Sequence, residues 1–289
     1  MSVIGYNYTI IDEEYSRYLN SHSEIKDHWM LKQTLYTGAT RRELLATLSI
    51  PVNSKVIDLG AGFGALAIDM AYSMPIQVWA TDFDLDKVMA AKEIAEQVDR
   101  KITSFKPGEI NFQQENTYSL SFENSTFDYA VARFLFQHLS EPAKAIAEIQ
   151  RVLKPDGVVC IIDVDESFAI SYPDTPGYDG LYTAFKQLQQ QNGGDRRIGR
   201  KLPHLLREAG FVEIYSFVQM QSAYNYTAKG NLAHQFVLEQ FLSVRDEIES
   251  KGIMHPSDFD RLIEQYKREI DIWQFEASGQ VVAFARKMN

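Results

Sequence analysis

The chain has 289 residues, 45% of them apolar and 24% charged, with a formal charge of -10 and a pI near 5.1. That length holds one large domain or one domain with a cap, and the acidic balance excludes a phosphate-backbone partner, which requires a basic stripe. No run of about 18 apolar residues occurs, so no membrane partner is expected, and the start lacks the basic-then-apolar pattern of a secretory leader.

Residues 1–37 are rich in aromatic residues and histidine (Tyr6, Tyr8, Tyr15, Tyr18, His22, His28, Trp29 and Tyr36) and predict two short helices, around 11–20 and 24–36. Thr40 with Glu43 three residues on is a capping-box pattern and predicts a helix to about 48. From residue 54 strand and helix alternate. Strands are expected at 55–59, 77–81, 109–114, 127–132 and 157–163, with helices over 63–73, 86–98 and 141–153. Strands separated by helices of this length imply βαβ units and a parallel sheet. Cys160, the one cysteine, falls inside the apolar fifth strand and is expected to be buried. With no disulfide available the chain is expected to be cytoplasmic.

Past residue 165 the rhythm changes. Helices fit 181–191 and 199–209, a strand fits 211–217, and a last strand fits 280–285. The mostly helical residues 222–278 lie between those two strands and are expected to form a cap insertion. The expected organisation is therefore an N-terminal helical lid (1–37), a core (38–221), the cap (222–278) and a returning core strand (279–289).

The sharpest local signal is Asp58-Leu59-Gly60-Ala61-Gly62-Phe63-Gly64, a strand that ends in three glycines and opens a helix. Such a loop lets bare backbone approach a ligand, and the helix start presents free N–H donors. Asp82, 22 residues after Gly60 at the end of the second strand, has the chemistry to accept hydrogen bonds from a ribose diol. On these features alone a nicotinamide-dependent oxidoreductase stays open, because Gly60, Gly62 and Ala65 also satisfy the dinucleotide pattern.

Residues 56–64, Ala80-Thr81-Asp82, Ser125-Thr126-Phe127-Asp128 and Arg151-Val152-Leu153-Lys154-Pro155-Asp156-Gly157 stand in an order and spacing that resembles the class I S-adenosylmethionine-dependent methyltransferases. The likeness is strongest to the branch related to ubiquinone and menaquinone methylation and to small-molecule methylation. It implies an α/β, Rossmann-like, doubly wound seven-stranded sheet, mostly parallel with an antiparallel last strand, and S-adenosyl-L-methionine as cofactor. By resemblance, Asp58, Gly60, Ala61 and Gly62 would cradle the methionine part. Asp82 would hold the ribose and Phe83 would pack on the adenine. Asn116 stands where the family commonly has aspartate facing the adenine amino group, with Thr117 beside it. Arg133 follows the fourth strand, and Thr37 with Gly38 precedes the first core helix near the cofactor carboxylate.

Methyl transfer requires alignment above all, because the cofactor itself carries the electrophile. Asp163, Asp165 and His138 lie at strand ends where such folds bind ligands and are the candidate bases, Asp163 and His138 foremost. No metal site is expected: His22 and His28 have no clustered partners. The aromatic residues of the N-terminus, with Tyr182, Phe185, Tyr224 and Tyr226, suggest walls around a small organic or short-peptide acceptor. The protein is expected to act as a monomer or homodimer. A cofactor-binding protein without turnover is the competing reading.

Overall fold

A computed structural model of the chain describes residues 3–25, 27–102, 106–225, 232–272 and 274–289, with side chains from residue 7 and none at 225. Tyr6 and Tyr226 fall outside the described side chains.

The elements run α1 (Val3–Ser21), α2 (Trp29–Tyr36), α3 (Gly38–Leu45), β1 (Lys55–Leu59), α4 (Ala65–Ala71), β2 (Gln77–Asp82), α5 (Leu85–Lys101), β3 (Glu109–Gln114), β4 (Phe127–Arg133), α6 (Pro142–Val152) and β5 (Leu153–Val164). After them come β6 (Ile170–Tyr172), α7 (Pro176–Gln191), α8 (Leu202–Glu208), β7 (Val212–Asn225), α9 (Leu232–Ser243), α10 (Arg245–Ser250), α11 (Pro256–Glu269) and β8 (Gln274–Arg286).

The sheet order is β3-β2-β1-β4-β5-β8-β6, with β7 also paired to β8. β1 to β5 are parallel, and β8 runs antiparallel to β5, β6 and β7. The expected seven strands are present, and the three-residue β6 adds an eighth. Alternate residues of the central strands serve opposite faces. Val56, Val131, Cys160 and Ile162 join the core under α1, α3, α4 and α5, whereas Ile57, Ala132, Val159 and Ile161 join the core under α6 and α8. A parallel sheet buried on both faces requires such continuous apolar runs. Cys160 is buried as expected.

The N-terminal expectation divides. α1 is core: Ile11 and Tyr15 are fully buried, Tyr15 Oη donates to the Phe63 carbonyl at 2.7 Å, and Asn7 Nδ2 donates to the Tyr72 carbonyl at 3.0 Å. Only the stretch from Asp27 to Thr40 reaches the main cavity. Thr37, not Thr40, precedes α3, and Thr40 Oγ1 donates to Gln221 instead. Behind this join the fully buried Arg41 pairs with Asp69 at 2.7 Å, and Arg42 bridges Asp69 and Asp12. One carboxylate shared by two guanidiniums and buried without solvent fixes where α3 meets α4.

The helical segment also differs from expectation at its edges. Residues 222–225 and 274–278 continue β7 and β8 as a ribbon, flanked at Phe275–Ala277 by β6. Helices α9 to α11 follow, and they share an apolar core with α7 through Leu181, Phe185, Phe241, Phe259 and Tyr266. α7 thus packs with the cap rather than on the sheet.

Candidate functional site

The strand order reverses between β1 and β4, and open α/β sheets bind ligands in the crevice at that carboxyl edge. Here the crevice is the floor of a cavity of about 930 Å³. Its floor holds Gly60, Gly62, Asp82 and Arg133, its roof comes from α2 and α9, and its far wall comes from α7 and the β7–β8 ribbon.

The glycines are conformational requirements. Gly60 and Gly62 have φ of +66° and +54°, and a Cβ on Gly60 would lie 2.8 Å from Leu135 Cδ1. A Cβ on Gly62 would meet Met30 at 3.3 Å. Left-handed backbone and close neighbours leave bare peptide facing the cavity. Asp82 Oδ2 accepts the Gly62 N–H at 2.8 Å and its Oδ1 accepts the Asp84 N–H at 3.0 Å. The carboxylate is thereby aimed, with further lone pairs remaining for a ligand.

Beneath the loop lie two groups of opposite charge whose hydrogen bonding is incomplete: Asp58 Oδ2 and Arg133 Nε are both buried with no partner. Burial pushes the Asp58 carboxyl up to about 7, against the favourable charge of Arg133. Burial likewise draws the Arg133 guanidinium below its ordinary range, opposed by Asp58 and Asp163. The Arg133 guanidinium carbon stands 4.0 Å over the Phe134 ring.

The turn after β4 brings His138 to the cavity. Its side chain is exposed, but the surface it is exposed to is the cavity wall. Burial within the protein, then the charges of Arg196 and Lys87, lower its pKa to about 4, so the ring is neutral at neutral pH. Gln189 Nε2 lies 3.3 Å from His138 Nδ1. With the amide donating, Nδ1 accepts and Nε2 keeps its proton, which makes the ring a hydrogen-bond donor rather than a base.

Asp163 does not enter the cavity. It is fully buried, accepting from the Gln137 N–H at 3.1 Å and the Val164 N–H at 2.8 Å. Burial raises it to about 7. A sealed carboxylate that holds the turn carrying His138 is a positioning residue. Asp165 is likewise engaged, by Arg200 and by the Ser167 N–H at 3.1 Å.

The remaining expected residues sort by position. Thr37 lines the cavity. Gly38 is buried and faces Arg42 and Asp12, away from the cavity. Ala61 lies within the loop, its N–H donating to the Thr81 carbonyl at 2.8 Å. Phe83 is 72% exposed and lies outside the cavity lining. Asn116 and Thr117 stand at the same sheet edge, but Asn116 Oδ1 already accepts the Tyr118 N–H at 2.9 Å. The buried acid there is Glu115, taken up by Gln113 and Ser121.

Sequence reasoning assigned no role to Gln137, Arg196, His234, Glu276 or Gln280, which all line the cavity. Arg196 hydrogen-bonds Gln137 Oε1 and donates to Tyr182 Oη at 3.0 Å. These residues are far apart in the chain and carry no local motif. Among the described residues no group of three or more potential ligands could hold a metal ion, and no helix is long and apolar enough to cross a membrane.

Residues 57–161 match the family model described as a methyltransferase domain. The chain is 28% identical over 194 residues to an uncharacterized methyltransferase, YcgJ, of Bacillus subtilis, covering 67% of this chain and 66% of that one. The crystal structure of YcgJ superposes with a TM-score of 0.59 at 16% identity, covering 87% and 99% of the two chains. A demethylmenaquinone methyltransferase of Paenarthrobacter aurescens is 28% identical over 149 residues, 52% of this chain and 51% of that one. A phosphoethanolamine N-methyltransferase of Haemonchus contortus, solved with S-adenosylhomocysteine and phosphomonomethylethanolamine, superposes with a TM-score of 0.53 at 17% identity, over 87% of this chain and 53% of that one. The matched stretch spans about half to two thirds of the length of these curated relatives.

Proposed function

Because this chain belongs to the class I S-adenosylmethionine-dependent methyltransferase family, we propose that it transfers a methyl group from S-adenosylmethionine to a small organic acceptor held under the cap. The observation that carries this reading is the Gly60–Gly62 loop clamped to Asp82 at the switch point, opening into an aromatic-lined cavity.

The residues present fit the cofactor. Bare peptide at Gly60 and Gly62 leaves room for the thioether chain, since a Cβ on either would press on Leu135 or Met30. Asp82 supplies the ribose acceptor. The incompletely bonded Asp58 and Arg133 match, by charge, the ammonium and carboxylate of an amino-acid end. Phe83 would cover the adenine, with Asn116 and Thr117 at its edge and Thr37 closing the opposite side.

When bound, S-adenosylmethionine supplies a methyl group on a sulfonium, an electrophile with a neutral leaving group. The chain's own residues then have to exclude water and aim the acceptor. Met30, Leu135 and the roof helices line the cavity above its floor. Gln137, Arg196 and His138 form a polar row beside it, and Nε2–H of His138 is a donor that can hold an acceptor oxygen or carbonyl in line. Positioning of this kind is worth effective molarities of about 10⁵–10⁸ M, against the roughly 10²–10⁴-fold of a general base. A general base is therefore secondary to alignment.

Calorimetry with S-adenosylhomocysteine and with NADH tests the cofactor, and a labelled-methyl screen over a metabolite library tests turnover. Micromolar binding of the first ligand, about -8 kcal/mol, and none of the second is expected. Binding without any methylated product would make the protein a cofactor sensor instead.

A further inference from the structure

The aromatic part of the cavity has a chemistry of its own. Tyr178 stacks on Tyr182 with ring centroids 5.3 Å apart and meets Phe241 and Tyr266 at 5.7 Å each. From the roof, Tyr36 packs on Phe236 at 5.6 Å. Tyr36, Tyr178 and Phe236 are only partly buried, and the surface they leave open is cavity surface.

Glu276, from the β8 arm of the ribbon, lines the same cavity. Its Oε1 is 3.1 Å from His234 Nε2 on α9, and that histidine side chain is 3% exposed with Nδ1 unpartnered. His234 is its one ion-pair partner among the described residues. Among the described residues no Lys or Arg pairs with it, and Lys32 and Arg196, which line or border the same cavity, serve other partners. The charge of Glu276 is felt by the surrounding phenols: after burial, it is among the causes that raise Tyr36, Tyr178 and Tyr266.

A carboxylate that faces a cavity with no fixed cation beside it makes the cavity attractive to positive charge, and tyrosine faces attract cations through the ring quadrupole. Both features are met if the occupant brings the positive charge. We infer that the part of the cavity lined by Tyr36, Tyr178, Phe236, Tyr266 and Glu276 is the acceptor subsite, and that it recognises a protonated or alkylated ammonium group on the acceptor. This rests on the methyl-transfer reading for the word acceptor, but the recognition itself does not need turnover. His234 holds the carboxylate in place by donating Nε2–H and is a positioning residue.

The test uses the full-length protein saturated with S-adenosylhomocysteine, titrated by calorimetry with choline and with its uncharged isostere 3,3-dimethylbutan-1-ol. Choline should bind at least tenfold more tightly. Glu276→Gln should reduce choline binding at least tenfold while leaving the isostere and S-adenosylhomocysteine unaffected. Tyr178→Leu should weaken choline more than the isostere, and it covers the case in which the Glu276 variant does not fold. Equal binding of the two probes, absence of choline binding, or a Glu276→Gln variant with wild-type discrimination overturns the inference and leaves Glu276 as a tie between β8 and α9. Failure of S-adenosylhomocysteine to bind overturns the methyl-transfer reading instead.

Discussion

Gly62 donates its backbone N–H to Asp82 Oδ2 at 2.8 Å, so the loop after β1 and the acid ending β2 are one mechanical unit. Substitution at Asp82 therefore acts twice, on the ligand and on the loop. Asp82→Ala should weaken S-adenosylhomocysteine by at least the 1.5–3 kcal/mol, roughly 10- to 150-fold, of a charge-assisted hydrogen bond. Calorimetry measures this directly. Wild-type affinity in a folded Asp82→Ala variant would remove Asp82 from the cofactor site.

Gly60→Ala tests the cradle from the other side. The left-handed backbone costs an L-residue about 1–2 kcal/mol, and the new methyl would sit 2.8 Å from Leu135 Cδ1. The variant should lose thermal stability and cofactor affinity together. Adding Leu135→Ala should relieve the steric part in affinity but not the backbone part. A Gly60→Ala protein that binds normally would show the loop tolerates a side chain.

Asp58 links cofactor binding to protons. Its folded pKa, near 7 through burial, stands above the ordinary carboxyl value of 3.8. The folded state thus binds the extra proton between those values. Its contribution to stability is fully present below the lower one and is lost as pH rises through about 7. An ammonium group of the ligand favours the ionised form, so binding should release protons and tighten as pH rises through about 7. Calorimetry in two buffers of different ionisation enthalpy reads the release. Asp58→Asn should abolish it, weaken the ligand, and raise the melting temperature at alkaline pH.

His138 is predicted to remain neutral down to about pH 4, because burial and the charges of Arg196 and Lys87 oppose its protonation. A folded pKa below 6.5 means stability from this group is present above 6.5 and is lost as pH falls toward 4. The ring proton resonances of His138, identified by their absence in His138→Gln, should titrate more than a unit below the ordinary imidazole value of 6.5. A His138 midpoint near 6.5 would contradict its enclosed setting.

α1 behaves as core. Ile11→Ala should cost about 2–5 kcal/mol, the range for a fully buried aliphatic side chain, and removal of residues 1–21 should unfold the domain. Denaturant melts of the two proteins check this. A truncated chain that melts like the full one would return α1 to the role of a mobile lid.

The sheet and its glycine loop were legible because their signals are local. Apolar runs at β1, β4 and β5 reflect burial on both faces, and Gly60, Gly62 and Asp82 stand at fixed spacing. Other features depend on which surface meets which. Tyr15 and Tyr36 look alike in sequence, yet one is sealed against Phe63 and the other lines the cavity. Asp163 ends a strand as a base would, and only packing shows that the Gln137 and Val164 amides take up its carboxylate. The ribbon at 222–225 and 274–278 falls in the stretch expected to be mostly helical, because strands that line a cavity instead of a packed core carry no apolar alternation. Glu276 and His234, 42 residues apart, have no motif at all.

The ribbon has a consequence for how such a molecule changes over generations. β8 pairs with β5 from Gln280 onward and with β6 from Phe275 to Ala277, while β7 accompanies it throughout, as far as Asn225 opposite Gln274. Directly paired residues in an antiparallel ladder are about 5 Å apart. The helices α9 to α11 therefore leave and re-enter the fold through a gap no wider than a hairpin turn. Closing such a gap costs entropy that grows only logarithmically with the length inserted, so helices can be lengthened, shortened or exchanged there with little penalty to the sheet. α7 and α2 are the partners that must change with them, α7 because it shares their core and α2 because it packs on α9 through Tyr36–Phe236 and Lys32–Glu239. An ancestral sheet could in this way inherit a new acceptor preference by grafting a different head onto the same ribbon while the cofactor loop below passed on unaltered.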